Sequence, residues 1–491
     1  MLTPAEVLGL SGLSLASRVR NAFLRIPERE LIEIAERVQE ECRLRRLCYM
    51  RDGLEDLIHV MPLPLTVLPE QISYVHYVTV TIQNALKRLP DLYMADFSVR
   101  DILRLPPEEE AWLWDCWGPS QRENNPMFAR LDALVDFISP MWKDSLKFVE
   151  PNLSCIGGLY LVPTANEIVT DVVSPVLGRL DPSVSLEMCR DIRDLLMEEL
   201  LEHLQAIGRP GGSICFVDPK YVGSGADEQE LLAGYLRERH GLNVLHADPA
   251  ELELRGREVY YEGAVVDLVY RDYLVTDLLA LKAAGRDAAM KELFRQNRVV
   301  SSIGGDLDQK SCWEVLTDPD IAGRHYNAEE RQVFRRHVLW TRVLSNRRTR
   351  LPRGDTGDLL EHVRHERETL VLKPNRAFGG QGVQIGLLMT QAEWESAMEE
   401  ALKGPDRWVV QERASIPASE FPVVGPERTA HLEPFYTVMG FAATRSGVAV
   451  FGRASQKQVV NVANRGGMCV VMVGRTPGKL HGPQRLRNGA R

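Results

Sequence analysis

Over the first 120 residues the apolar positions recur mostly at helical spacing. "ERELIEIAERVQEECRLRR" and "YVTVTIQNALKRL" both carry that period, and "LPPEEEAWLWDCW" opens a third helical segment after prolines. The period then changes. "ARLDALVDFI" and "SLKFVEPNL" read as strands joined by the turn-like "SPMWKD". "LEMCRDIRDLLMEELLEHLQAIG" reads as one long helix, stopped by "RPGG" at a boundary. From 213 the pattern alternates: strand "SICFVD", helix "ADEQELLAGYLRERHG", strand "LNVLHAD", hairpin "LELRGREVYYEG", strand "AVVDLVYRDY". That is a small α/β unit. Residues 276–346 read as helical. Short strands and loops fill 360–475: "TLVLKPN", "GVQIGLLM", "RWVVQER", "YTVMGFAAT", "GVAVFGRAS" and "QVVNVAN". The Gly/Pro/Arg-rich "RTPGKLHGPQRLRNG" at the end reads as frayed. The fold class expected is a mixed α+β or α/β chain.

Composition narrows the function classes. The 491 residues suffice for two to four domains, and 44% apolar with 26% charged residues is ordinary globular usage. A net charge of −9 without a basic block argues against a nucleic-acid partner, and "RLRR" and "SNRRTR" read as solvated faces. No apolar run approaches the roughly 20 residues that span a bilayer, and the acidic start "MLTPAEVLGL" is unlike a signal peptide. Eight cysteines stand singly without CxxC spacing, so reduced thiols in a cytoplasm are expected.

Two stretches carry chemistry. In "LVLKPNRAFGGQGVQIG" a strand ends on Lys373, and Gly379, Gly380 and Gly382 follow before the next apolar run. Such a turn exposes backbone N–H groups and can close over phosphates, with Lys373 as a point charge. A hairpin with a bulge is the other reading of the same residues. Walker, dinucleotide, HExxH and GxSxG patterns are absent: Gly478-Lys479 lacks the spacing, and "GSGADE" lacks a third glycine.

The second stretch is "ARLDALVDFISPMWKDSLKFVEPNLSCIGGLY". A turn near 141–142 sets Asp132 roughly opposite Glu150, with Arg130 and Asn152 on the same face. Two facing carboxylates repel unless a cation joins them, and hard oxygen ligands of this kind suit Mg²⁺. A solvated face with an incidental Arg–Asp pair is the alternative.

These segments join in a resemblance. "LKFVEPNLSCIGGLY" resembles the Glu-x-Asn metal strand and Gly-Gly-Leu turn of eukaryotic-type glutathione synthetases. "RLD" resembles the Arg-x-Asp that precedes that strand there and in glutathionylspermidine synthetases. "REVYYEGAVVDLVYRDY", "IGGDLDQK", "LVLKPNRAFGGQGV", "WVVQER" and "GVAVFGRASQKQVVNVANRGG" resemble the family's later segments, in the family's order. The metal strand precedes the glycine loop, as in circularly permuted ATP-grasp ligases. The resemblance covers about residues 126–475.

It implies a circularly permuted ATP-grasp fold with a helical N-terminal region (1–125) and a core part bearing the metal hairpin (126–210). A small Rossmann-like substrate domain (211–300), a nucleotide and lid region (301–475) and a flexible tail (476–491) complete the implied division. ATP and Mg²⁺ are the implied cofactors. Lys310 and Lys373 would contact phosphates, Gly379, Gly380 and Gly382 would form the lid, and Gln411 and Glu412 would sit by adenine and ribose. Glu150, Asn152 and Asp132 would bind Mg²⁺. Arg130 would face the reacting carboxylate, with Arg271 and Arg465 as substrate contacts. One departure is plain: the family's further metal glutamate, four residues after the loop lysine, is Ala377 here. The implied activity is a carboxylate–amine ligase working through an acyl phosphate on an amino acid, peptide or polyamine-like substrate. A nucleotide-binding scaffold without ligase activity is the alternative.

Overall fold

A computed structural model describes residues 2–51, 54–220, 228–282, 285–404, 407–425, 427–460 and 466–475. Its main element is an eight-stranded sheet. Six strands follow in the order His59–Val67, Gly467–Arg475, Gly447–Ser455, Ala430–Thr444, Arg130–Leu134 and Lys147–Asn152. Ala418–Val424 pairs with Ala430–Thr444, and Ser185–Met188 with Gly467–Arg475.

The expected helices Glu28–Leu44, Pro69–Leu86 and Pro107–Cys116 are present, but the N-terminal region is not wholly helical. His59–Val67 is a strand that pairs in parallel with Gly467–Arg475. Pro62 and Pro64 hide it in the sequence, because proline removes ladder donors. It lies at the edge of the sheet, and the register shifts between Cys469 and Val471, opposite the prolines. Ladder bonds are thus interrupted where the prolines stand.

Other boundaries move for local reasons. The helix expected over 186–208 begins at Ile192, because the Asp191 side chain caps it by accepting from the Arg193 amide. Ser185–Met188, just before it, is a strand. The helical stretch at 276–346 contains Val299–Val300 and ends in the strand Thr341–Val343. Past Ser455 the residues to Val460 form no strand; the closing strand is Gly467–Arg475. Residues 461–465 and 476–491 lie outside the described residues.

Two four-stranded sheets accompany the large one, beside three sheets of two or three strands. Val299–Val300, Leu268–Arg271, Ile214–Val217 and Val244–Ala247 form an all-parallel sheet. Ile214–Val217 is buried throughout, as fits a parallel strand covered on both faces. Helices Ile192–Ala206 and Glu228–His240 cover it through Leu195, Leu200, Leu232 and Leu236. The third sheet, ordered Thr341–Val343, Trp408–Glu412, Leu370–Pro374, Gln384–Ile385, is antiparallel. Helices Leu359–His365 and Gln391–Lys403 close its outer face around fully buried Trp394, whose indole N–H donates to the Val363 carbonyl. Thr390 and Glu393 cap the second helix reciprocally. Lys373 and Gln411 project from this sheet toward the Arg130–Asn152 hairpin of the large one.

Candidate active site

The hairpin has the expected register: Asp132 stands opposite Glu150 and Arg130 opposite Asn152. Its connection is not a tight turn but a loop with the short helix Trp142–Ser145, and a bulge follows Asp132. The two carboxylates are not left facing each other. Arg130 Nε donates to Asp132 Oδ1 at 3.0 Å, and Arg453 reaches Asp132 Oδ2 at 2.8 Å. Burial opposes its ionisation, yet Arg130 and Arg453 together hold the Asp132 carboxyl below its usual range. Room for this clamp depends on Gly440, which lies across from Asp132. A Cβ there would come within 2.8 Å of Arg130 Cδ and 2.9 Å of Asp132 Oδ1.

Glu150 is served from the other side. Lys310 Nζ pairs with Glu150 Oε1 at 2.9 Å and donates to the Ala377 carbonyl. Lys373 Nζ donates to Gln411 Oε1 at 2.7 Å and lies 3.4 Å from the Val149 carbonyl. Burial pushes the Lys373 amine down to about 8; the Glu150 carboxylate opposes that and Lys310 adds to it. Asn375 ties the two lysine segments: its carbonyl accepts from the Lys310 amide, its Oδ1 from the Ser311 amide, and its Nδ2 donates to Gln309.

Between the large and the antiparallel sheets lies a cavity of about 660 Å³. Arg130, Asp132, Glu150, Asn152, Lys373, Gln411 and Glu412 line it, as do Phe378, Gly379 and Gly380 of the glycine loop. The loop joins two strands of an antiparallel hairpin. Gly379, Gly380 and Gly382 all have positive φ. Gly382 sits at the loop root, where a Cβ would meet Pro374 Cγ at 2.7 Å. Apolar Leu339, Val371 and Ile385 supply a wall beside Gln411 and Glu412. A polyanion at the lysines with a flat apolar group against this wall is what the cavity can hold.

The oxygen donors separate on inspection. Asn152 donates Nδ2 to the Arg130 carbonyl, which leaves Oδ1 as its acceptor, and Glu150 has a second oxygen beyond the one paired with Lys310. Both fit a Mg²⁺ ion that takes its other ligands from water and phosphate. Asp132 does not fit that set, since both its oxygens are held by guanidinium groups. Among the described residues no three His, Cys, Asp or Glu side chains gather as for a metal ion.

Arg271 is also misplaced by the sequence reading. It is fully buried, donates to the Ser301, Ser302 and Tyr273 carbonyls, and pairs with Asp306 at 2.8 Å. It does not line the cavity; its neighbours Asp272 and Tyr273 do. Arg465 lies outside the described residues. Sequence reasoning missed Arg453, although it stands inside the quoted "GVAVFGRAS" strand, and missed Asp272 beside the residue it chose. Arg271→Leu is expected to cost about 3–5 kcal/mol in urea unfolding, because Asp306 is left buried without its cation. Loss of activity at unchanged stability would restore Arg271 as a substrate contact.

The "CIGGLY" loop after the hairpin has its own anchor. Buried Glu228 accepts from the Gly158, Tyr160 and Leu161 amides at 2.7, 2.9 and 3.1 Å, which caps helix Leu161–Val172. The Arg130 guanidinium donates to the Gly157 carbonyl of the same loop.

No protein-family model matches the sequence, and comparison with curated proteins returns no match. Solved structures do match. A glutathione synthetase-like effector from Globodera pallida, in its apo form, superposes with a TM-score of 0.59 at 13% identity. The match covers 91% of this chain and 98% of that one. A protein assigned as a gamma-glutamylcysteine synthetase from Methylobacillus flagellatus KT gives a TM-score of 0.37 at 10% identity over 80% of this chain and 88% of that one. A RimK domain ATP-grasp protein from Sphaerobacter thermophilus gives 0.25 at 15% identity over 51% and 97%. Scores that low add nothing to the first match. The chain thus shares its fold with the glutathione synthetase-like effector over nearly the whole length of both chains.

Proposed function

We propose that the protein is an ATP- and Mg²⁺-dependent carboxylate–amine ligase with a circularly permuted ATP-grasp order. The observation that carries this is the convergence of Lys310 and Lys373 on the Val149–Glu150 segment beneath a glycine loop. A buried Lys310 and a half-buried Lys373, loop amides and an apolar wall suit a nucleoside triphosphate. The carboxylate substrate attacks the γ-phosphorus, the bond to ADP breaks, and an acyl phosphate forms. The amine nitrogen then bonds to the acyl carbon, phosphate leaves, and the amine gives up a proton.

In this reading Lys310 and Lys373 hold phosphate oxygens, and Gly379 and Gly380 cover them. The gain is electrostatic: fixed cations face charge that develops during transfer. Gln411 and Glu412 border the apolar wall where the base lies, and Arg130 with Arg453 faces the acyl end. Glu150 and Asn152 would hold Mg²⁺, which supplies screening of the phosphate oxygens. The substrates are small molecules. The free thiols of Cys42, Cys116, Cys155, Cys189, Cys215, Cys312 and Cys469 support a reducing, cytoplasmic setting, and among the described residues no helix is long and apolar enough to cross a membrane.

The test is product analysis with Mg·ATP over a panel of acids and amines. ADP and phosphate are expected, and only when both an acid and an amine are present. AMP and pyrophosphate would point to an adenylating enzyme. A second reading, a nucleotide-binding scaffold, draws on Ala377 and on the clamped Asp132. It requires Mg·ATP binding with no turnover on any pair.

A further inference from the structure

Residues 101–109, where helix Phe97–Ile102 gives way to helix Pro107–Cys116, meet the segments that carry Lys310 and Lys373. Gln309, next to Lys310, donates to the Leu103 carbonyl at 2.8 Å. Arg407 donates to the Asp101 and Ile102 carbonyls at 2.6 and 3.1 Å, and its own carbonyl accepts from the Asn375 amide. Arg376 turns its guanidinium to Glu109, with Nη1 donating to Oε1 at 3.0 Å and Nη2 to Oε2 at 2.5 Å. The Thr276 hydroxyl donates to Glu109 Oε1 at 3.3 Å. Glu109 is only 3% exposed. A carboxylate held by both arms of a guanidinium makes a strong pair and fixes the plane of the arginine.

The position of Arg376 along the chain gives this pair a use. On one side stands Asn375, which accepts from the Lys310 and Ser311 amides. On the other stands Ala377, whose carbonyl accepts from Lys310 Nζ at 2.5 Å. Beyond it come Gly379, Gly380 and Gly382, residues of the type that loses most freedom on being ordered. Glu109 thus pins the near root of the glycine loop, although neither it nor Arg376 lines the cavity. A pair that merely joined two parts of the fold would change stability alone. One that sets the loop root changes nucleotide affinity as well.

We propose that Glu109 is a positioning residue for the nucleotide: through Arg376 it fixes residues 375–377, and with them Lys310 and the near end of the glycine loop. The helical N-terminal region thereby takes part in the nucleotide site. This rests on the ligase reading, in which Lys310 and the loop hold phosphate.

A double-mutant cycle on Mg·ATP affinity decides it, by calorimetry at a temperature where melting curves show each variant folded. Glu109→Gln keeps the shape and removes the charge. It is expected to weaken Mg·ATP about tenfold, the cost of ordering one further residue on binding. Arg376→Gln should lose as much, and the double variant no more than either, because the two act as a unit. If the losses multiply to about a hundredfold, Arg376 meets the nucleotide independently of Glu109, which overturns the proposal. Arg376→Gln strands Glu109 without a cation. If it does not fold, Arg376→Lys takes its place, keeping the charge without the fork, with a loss of about threefold expected. Parental affinity in Glu109→Gln and in the folded Arg376 variant, whatever their melting temperatures, reduces the pair to a fold contact and overturns the proposal. In that case the parent still binds Mg·ATP; a parent that does not bind it fails the ligase reading, and this proposal with it.

Discussion

Glu150→Gln is expected to cut Mg²⁺-dependent ATP turnover by about 10²-fold or more, the scale seen when a charge-stabilising group leaves a transition state. It is also expected to lower stability by about 1–3 kcal/mol, because Lys310 keeps only the Ala377 carbonyl as a strong partner. The second effect reverses what the sequence suggests. Two carboxylates facing across a hairpin foretell relief when one is neutralised. In the structure each already has its cations, so neutralising Glu150 strands a buried lysine instead. ADP release and urea unfolding, run on the same preparation, check both signs. Near-normal turnover would remove Glu150 from the metal site.

Lys373→Met is expected to weaken Mg·ATP binding roughly 10- to 100-fold, the worth of a hydrogen bond to a charged group. The protein should stay folded, since a desolvated cation with a like-charged neighbour adds little to stability. The pH dependence follows from the depressed amine. Burial holds Lys373 at about 8 in the free protein, against 10.5 for an ordinary lysine. The unfolded chain therefore binds more protons between those values, and this residue's contribution to stability rises with pH across that window. Phosphate favours the protonated amine, so ATP binding should take up protons near pH 8, and affinity should fall as pH rises past it. Calorimetry in buffers of different ionisation enthalpy reads that uptake directly. Lys373→Met should abolish it; uptake that persists in the variant would place the titration elsewhere.

Much of the site was legible because its residues lie on strands, where period-two alternation and register fix neighbours. Asp132 and Glu150 were paired from the sequence for that reason, and the glycines of the 379–382 loop announced the positive φ that they adopt. Arg271 shows the limit of the same rule. Alternation predicts that Arg271 and Asp272 face opposite ways, but not which of them faces the cavity. That depends on Asp306, 35 positions along the chain, which gives Arg271 its partner. The Arg453–Asp132 contact is longer-ranged still and left no local signal. His59–Val67 was missed because its two prolines argue against a strand unless the bulge that holds them, residues 62–64 opposite Val470, is known.

That same strand has a consequence for how the chain is made. His59–Val67 pairs within the sheet with Gly467–Arg475, which itself lies between it and Gly447–Ser455. As the polypeptide leaves the ribosome, an early strand waits for one emitted some 400 residues later. At about 5–20 residues per second, that is an interval of tens of seconds with an unpaired edge and apolar neighbours on view. Until Gly467–Arg475 emerges, the nascent sheet is open where that strand belongs, so its completion is among the last steps of folding.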